Sequence, residues 1–206
     1  MKKYLPVLFV VIGLAVILPT FFMSSEPEKL QLPDSLKGVF IDSPPMPIPE
    51  FTLTDHDNKP FTKNNLRGKW SLVFFGFTNC PDVCPVSMSV LNKVSKLEGI
   101  PKDTQYIFVS VDSKRDKPEK LKEFVSFFNE SFIGATGTAA ELKKFEEPLG
   151  VIYGFEGDTS SDEYNVTHFA AIYIMDPTGN QRAYILPPHS LAQVGEAYKL
   201  IYQHYK

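Results

Sequence analysis

Eight consecutive residues, Trp70 to Phe77, are almost all apolar, and they lead directly into a short turn and then a helical pattern. A strand that is apolar at nearly every position is buried on both faces, whereas a strand with one solvated face alternates apolar and polar residues. Burial on both faces is typical of α/β proteins, in which helices cover the sheet. This run therefore predicts a central strand of an α/β domain.

Strands and helices alternate along the rest of the chain. The predicted order is a leading β-hairpin, then strand, helix, strand, helix, short strand, helix, a closing hairpin and a final helix. This alternation implies a parallel central sheet, and a closing antiparallel hairpin followed by a helix is the thioredoxin arrangement. The main predicted segments are 51–61 (hairpin), 70–77, 85–97, 106–111, 118–128, a helix from Thr138 to before Gly150, 169–175 with 181–186 (hairpin), and 190–205.

The N-terminus has the pattern of a membrane segment. Lys2 and Lys3 precede an uncharged apolar run to about Met23, and about 20 helical residues cross the hydrocarbon core. A cleaved signal peptide is the alternative, but its apolar region is usually ~7–15 residues long and precedes a small-residue cleavage site, which the run lacks. We expect an uncleaved transmembrane anchor at residues 1–23 of a bacterial cytoplasmic membrane, with the following domain on the periplasmic side.

Residues 24–49 are rich in proline, so we expect a spacer without helix or central strand. The remaining residues, 50–206, suit a single domain. The formal charge of −3 is distributed over both signs without a basic stripe, which argues against a nucleic-acid partner.

The chain has two cysteines, Cys80 and Cys84, in the turn between the apolar strand and its helix. Residues four apart on a helical turn lie on one face, so both sulfurs can reach one ion. A helix N-terminus also stabilises thiolates, the form of cysteine that binds metals. A structural disulfide would close a small ring with little stabilisation, and a redox dithiol usually has the spacing C-x-x-C. A soft ion such as copper(I) or zinc is the third interpretation. The pair alone leaves redox chemistry and metal binding about equal.

A third ligand would decide between them. His168 lies where a polar loop runs into the predicted strand 169–175, and in a thioredoxin-like sheet this junction is beside the start of the cysteine-bearing helix. Three ligands suit trigonal copper(I), whereas a structural zinc site would need a fourth. We therefore expect one copper ion, Cu(I) in preference, bound by Cys80, Cys84 and His168, with a structural role of the histidine as the alternative. The other histidines are interpreted as surface or structural residues: His56, His189 and His204.

At these residues the sequence resembles the Sco/SenC family of copper-binding assembly proteins, over nearly the whole domain from about Pro49. The resemblance implies a thioredoxin fold on a single membrane anchor, with copper bound by Cys80, Cys84 and His168. Members take part in maturing the dinuclear copper centre of cytochrome c oxidase, as copper donor, as reductant of that centre's cysteines, or both. The matching segments are 74–85, 109–112 with Arg115 and Asp116, 151–153, and His168 ahead of 173–179.

The resemblance thus implies a metallochaperone rather than an enzyme. Its partners would be the copper-bearing oxidase subunit, another copper chaperone or a thiol reductase, together with membrane lipid at the N-terminal helix. The alternative is a membrane-anchored thiol–disulfide reductase that uses Cys80 and Cys84 without delivering metal. A peroxide-scavenging relative of the peroxiredoxins ranks lowest, because neither the cysteine spacing nor His168 indicates a peroxidatic cysteine.

Two positions depart from the family pattern. Thr167 stands where the family often has an aspartate, which removes a carboxylate expected to tune the metal. Ser113 follows Asp112 where the family has a proline, although Arg115 and Asp116 persist. We interpret this segment either as a loop beside the site or a partner surface, or as a capped surface turn.

Overall fold

The computed structural model describes residues 29–206. Its strands are β1 (Val39–Met46), β2 (Thr52–Asp55), β3 (Pro60–Thr62), β4 (Ser71–Gly76), β5 (Gln105–Ser110), β6 (Ile133–Thr136), β7 (Tyr153–Glu156), β8 (Asn165–His168), β9 (Ile172–Met175) and β10 (Gln181–Ile185). Its helices are α1 (Lys63–Leu66), α2 (Val83–Ser95), α3 (Pro118–Phe128), α4 (Ala139–Leu149) and α5 (Leu191–Tyr205). Eight strands form one sheet in the order β1-β10-β9-β4-β5-β6-β2-β3, and β7 pairs with β8 in a separate sheet.

The centre of the sheet confirms the predicted parallel arrangement. β4 pairs in parallel with β5, β5 pairs in parallel with β6, and β9 lies antiparallel on the other side of β4. Phe74 lies beside Phe108, whose ring contacts Phe124 of α3 at 4.8 Å between centroids. Phe75 points to the opposite face and contacts Phe145 of α4 at 5.4 Å. Helices therefore cover both faces of the sheet at this point, which is why β4 is apolar at almost every position.

The predicted leading hairpin is also present, because β2 and β3 pair antiparallel. Its turn is closed by Asp55, whose carboxylate accepts from the backbone amides of Asp57 at 2.9 Å and Lys59 at 2.8 Å. Asn58 in the turn has a φ of 60°, a left-handed conformation that asparagine tolerates. β2 also pairs with β6, which places the hairpin at one end of the sheet.

Helix α4 begins and ends as predicted. The Thr138 hydroxyl accepts from the Glu141 amide, and Gly150 ends the helix with a left-handed φ of 67°. Only half of a capping box forms, because the Glu141 carboxylate accepts from the Thr52 amide at 2.8 Å instead of returning to the cap. This carboxylate therefore ties the leading hairpin to α4.

The predicted spacer at 24–49 is wrong in its second half. β1 lies within this range and pairs antiparallel with β10, from Val39 opposite Ile185 to Met46 opposite Gln181. Proline is excluded from central strands but is tolerated on an edge strand, and β1 is the edge of the sheet. The proline content therefore ruled out a central strand, as predicted, but not an edge strand of the domain.

The segment before β9 also differs from the prediction. The predicted loop into a strand starting at residue 169 is a hairpin, in which Tyr153 of β7 pairs with His168 of β8, and β9 begins only at Ile172. His168 is thus the last residue of a strand outside the main sheet rather than a loop residue at the start of β9.

The predicted anchor at 1–23 and residues 24–28 of the spacer lie outside the described residues. Within 29–206, none of the helices has the length and apolar character needed to cross a membrane. Near the start of the described part, the Leu30 amide donates to the Tyr205 hydroxyl of α5 at 3.1 Å. The chain is therefore already in contact with the domain at residue 30.

Candidate metal centre

The two cysteines lie where β4 passes into α2. The Cys84 amide donates to the Cys80 sulfur at 3.4 Å, and both cysteines are free thiols. Cys84 is fully buried in the first turn of α2, whereas Cys80 is only partly buried in the preceding turn. One sulfur therefore belongs to the core and the other remains accessible.

Gly76, the last residue of β4, makes room for the buried sulfur. A Cβ atom at this position would lie 2.7 Å from the Cys84 sulfur and 3.0 Å from the Phe108 ring. Both distances are shorter than ordinary van der Waals contacts, so any side chain here would displace the thiol or the ring.

His168 completes the cluster. Its Nε2 atom lies 3.2 Å from the Cys84 sulfur, and the ligand atoms of Cys80, Cys84 and His168 all lie within 4.8 Å of one another. The imidazole makes T-shaped contacts with two phenylalanine rings, whose centroids lie 6.0 Å away for Phe74 and 5.8 Å away for Phe77. The structure thus brings together all three residues that the sequence selected.

The two thiols differ sharply in acidity. The Cys84 thiol hydrogen-bonds to the Cys80 sulfur and lowers the pKa of Cys80 to about 4, with a smaller contribution from His168 and an opposing one from burial. The same hydrogen bond, and then burial, raise the pKa of Cys84. The hydrogen bond therefore favours the thiolate form at Cys80 and the protonated form at Cys84. Because metal-bound cysteines are deprotonated, metal binding would release that proton.

The geometry suits a small number of ligands around a soft ion. Metal bonds of about 2.0–2.3 Å to sulfur and nitrogen place the ligands of a trigonal ion roughly 3.5–4 Å apart, which fits the observed cluster. Among residues 29–206, this is the one group of three or more histidine, cysteine or acidic residues gathered closely enough to hold a metal. Two sulfurs and one imidazole fit copper(I), while a structural zinc site would require a fourth donor.

The cysteine turn is fixed by a buried carboxylate that the sequence pointed to without assigning a role. Asp116 is fully buried and accepts from the Thr78 amide at 2.7 Å and from the Ser110 hydroxyl at 2.6 Å. Lys120 of α3 pairs with it at 3.1 Å. Asp116 thereby joins the turn before Cys80 to the end of β5. The segment from Asp112 to Asp116 is therefore a loop beside the site that supports the cysteine turn.

The same segment holds the hairpin that carries His168. The Arg115 guanidinium lies 3.7 Å from the centre of the Tyr164 ring and donates to the Tyr164 carbonyl at 2.8 Å. The buried Asp112 carboxylate pairs with Arg115 and accepts from the Tyr164 hydroxyl. Lys114 also donates to the Thr159 carbonyl at 2.9 Å. These contacts connect the loop after β5 to the β7–β8 hairpin across about fifty residues of sequence.

Thr167 does not face the metal cluster. Its side chain is exposed and donates to the Gly154 carbonyl at 3.5 Å, and successive residues of a strand point to opposite faces. A carboxylate at this position would therefore point away from the His168 ring. The Nδ1 atom of His168 is buried without a hydrogen-bond partner within the described part of the chain, so the expected tuning carboxylate has no counterpart there.

The remaining histidines stay outside the cluster, as predicted. His189 is buried, with Nδ1 2.8 Å from the Ser87 hydroxyl and Nε2 3.2 Å from the Ile185 carbonyl. His56 accepts from the Gly134 amide at 2.8 Å. His204 lies in the last turn of α5.

Comparison with known proteins identifies the relatives of this chain. A SCO2-like protein of Rickettsia prowazekii is 34% identical over 156 residues, which cover 72% of this chain and 74% of that protein. The mitochondrial protein SCO2 of Saccharomyces cerevisiae is 40% identical over 134 residues, covering 63% of this chain but only 44% of that longer protein. The crystal structure of Arabidopsis thaliana ScoI with copper bound has a TM-score of 0.69 and 32% identity, covering 76% of this chain and 98% of that chain.

The structural likeness supports the predicted thioredoxin-like fold. The model of the SCO1/SenC family matches residues 43–202. Because this match extends over far more than half of the sequence, the chain belongs to the SCO1/SenC family.

Proposed function

We propose that this protein binds one copper ion, as Cu(I), through Cys80, Cys84 and His168, and delivers it to the dinuclear copper site of cytochrome c oxidase during assembly. Reduction of the cysteines of that site is part of the same proposal. The observation that carries it is the convergence of two sulfurs and one imidazole nitrogen within 4.8 Å. The copper-bound ScoI of Arabidopsis thaliana and the family resemblance support the choice of metal.

The arrangement suits an ion that is held and then passed on. Cys84 lies in the core, and aromatic rings pack on His168, which is partly buried, as is Cys80. Cys80 is accessible, and a three-coordinate ion leaves room for an incoming ligand. An acceptor thiolate can therefore bond to copper before a bond to this protein breaks.

The test of the ligand set is metal analysis of the reduced full chain, combined with X-ray absorption at the copper edge. We expect one copper per chain with two sulfur ligands and one nitrogen ligand. His168→Ala should remove the nitrogen ligand, whereas His204→Ala, an exposed histidine of α5, is the matched control. Unchanged affinity and coordination in His168→Ala would overturn the assignment.

A thiol–disulfide reductase without metal delivery is the second candidate. The split acidity of the two thiols favours it, because a thiolate at Cys80 can attack a partner disulfide and Cys84 can then resolve the mixed disulfide. One partner disulfide would be reduced for each Cys80–Cys84 disulfide formed. The test measures how fast the copper-free protein reduces the oxidised oxidase subunit that bears the dinuclear copper site. Equal rates for His168→Ala and the wild type would favour this candidate over copper delivery.

We also propose that residues 1–23 anchor the protein and that the domain lies on the periplasmic side. The apolar run and the two lysines that precede it support this orientation. A reporter enzyme that works only in the periplasm, fused after Lys206, should be active. Activity of a cytoplasm-specific reporter at the same position would contradict the orientation.

A further inference from the structure

A groove opens between the start of α2 and the outer face of α3, and one of its walls is Cys80. Its volume is about 430 Å³. Aromatic side chains of α3 form much of its lining, and Lys120 and Glu123 of the same helix also line it. The lining residues used below are Cys80, Pro85, Phe124, Phe127 and Phe128.

Phe127 has no structural role that explains its position. It is 84% exposed, the highest value among the exposed large apolar side chains of residues 29–206. The helix is held to the sheet by other residues, since Leu121 and Val125 are fully buried. Phe127 instead stacks edge-on against Phe128, with 5.2 Å between ring centroids, and thereby extends the aromatic lining of the groove into solvent.

The groove also borders the metal cluster. Cys84 is fully buried, and Phe74 and Phe77 pack on the His168 ring. Cys80 is the less buried of the two cysteines, and it lines the groove. A sulfur that replaces Cys80 on copper must come within bonding distance of the ion, about 2.3 Å by analogy with zinc. The backbone of the acceptor at its cysteine must then lie within the length of one side chain from the groove.

We propose that this groove, the Phe127 groove, docks the thiol-bearing segment of the protein that accepts the copper. The segment carries a large apolar side chain near its cysteine. This side chain packs on Phe127 while the cysteine reaches the ion beside Cys80. Continuity between the groove and the accessible sulfur carries this assignment. The proposal rests on the proposed function and names the surface through which that function operates.

The transfer is a ligand exchange without electron transfer. The incoming thiol loses its proton to solvent, and its thiolate forms a sulfur–copper bond. The bond between copper and Cys80 then breaks, and the released thiolate is free to take up a proton from solvent. Copper stays Cu(I) throughout, and the remaining ligands exchange in the same way.

The test compares Phe127→Ser with Phe40→Ser, which removes another exposed phenylalanine, 46% exposed on the edge strand β1, three strands from β4. The acceptor is the reduced, copper-free soluble domain of the oxidase subunit that bears the dinuclear copper centre. We expect Phe127→Ser to bind copper with wild-type stoichiometry and affinity. Its transfer rate to the acceptor should fall at least tenfold, whereas transfer to a small Cu(I) chelator, which needs no docking, should be unchanged. Phe40→Ser should match the wild type in all assays.

Equal transfer rates for Phe127→Ser and the wild type would overturn the proposal. Equilibrium binding of the copper-free protein to the same acceptor, measured by calorimetry, gives a second readout. A Kd for the acceptor that rises at least tenfold in Phe127→Ser supports the groove as the docking site. If the wild type binds the acceptor but transfers no copper, the proposed delivery is refuted and the groove is not. An unchanged Kd, or no binding by the wild type, refutes the groove.

Discussion

The cysteine turn and the histidine hairpin contribute to the same cluster but are held in different ways. The turn follows the fully buried strand β4 and is tied to the end of β5 by Asp116. The β7–β8 hairpin is a separate two-stranded sheet, held by Tyr164 and Tyr153 through contacts with neighbouring side chains. The folding of the core therefore positions the sulfurs, whereas side-chain contacts at the surface of the core position the imidazole. This difference predicts which changes damage the whole domain and which damage only the site.

The largest effect is expected for Asp116→Ala, which acts on the cysteine turn. The substitution leaves the Thr78 amide and the Ser110 hydroxyl without their acceptor, and each buried unsatisfied group costs about 1–3 kcal/mol. We expect the free energy of unfolding to fall by about 3 kcal/mol, together with weaker copper binding, as measured by urea denaturation and metal titration.

The control for Asp116→Ala is Asp57→Ala, which removes a carboxylate from an exposed pair with Lys122 in the leading hairpin. Exposed pairs contribute little to stability, so the effect should be much smaller. Similar losses in both variants would show that the cysteine turn is not anchored more firmly than the surface.

The next effect concerns Glu146 of α4, beneath the hairpin. This carboxyl is 3% exposed and accepts from the Tyr153 hydroxyl at 3.0 Å, and burial raises its pKa from the usual 4.5 to about 7. Between these two pH values the unfolded chain ionises the group while the folded chain keeps it protonated. Stability therefore falls as pH rises through this window, by at most ~3 kcal/mol, and the penalty is complete above the upper value.

Glu146→Gln removes this titration and should flatten the pH dependence of unfolding between pH 4.5 and 7, making the variant more stable than the wild type above pH 7. The matched control is Glu147→Gln, on the same helix but 69% exposed, which should leave the dependence unchanged. Identical pH profiles for Glu146→Gln and the wild type would contradict a buried protonated carboxyl at the base of the hairpin.

A smaller effect is expected for Tyr164→Phe, which acts on the hairpin alone. The ring still stacks on Arg115, but the hydrogen bond to the buried Asp112 carboxylate is lost, at a cost of about 1.5 kcal/mol. X-ray absorption should show a weakened nitrogen ligand and intact sulfur ligands. Loss of sulfur coordination would mean that the cysteine turn and the histidine hairpin are not held independently. The control is Tyr184→Phe, on β10, which should leave both kinds of ligand unchanged.

The smallest effect is expected for Thr167→Asp. Because this side chain lies on the face of the hairpin away from the metal cluster, copper affinity should change by no more than about twofold, as for ordinary surface substitutions. A tenfold gain in affinity in a copper competition assay would show that a carboxylate here does reach His168.

The sequence predicted the sheet centre, the main helices and the three residues of the cluster, because these depend on local patterns or on a few distinctive side chains. The roles of Asp116 and Arg115 were not predictable, since their partners are brought close only by the fold. The β7–β8 hairpin was missed because its two four-residue strands are separated by a polar loop and read as an irregular segment. β1 was missed because prolines exclude a central strand and say little about an edge.

The contact between Leu30 and Tyr205 limits how far the copper site can travel. If the proposed anchor ends at residue 23, only residues 24–29 separate the bilayer from a point already on the domain. Six residues span roughly 20 Å at full extension. The domain would then stay close to the bilayer. It would meet a membrane-bound acceptor by diffusion along the bilayer surface, at a high effective concentration, rather than by diffusion through the periplasm.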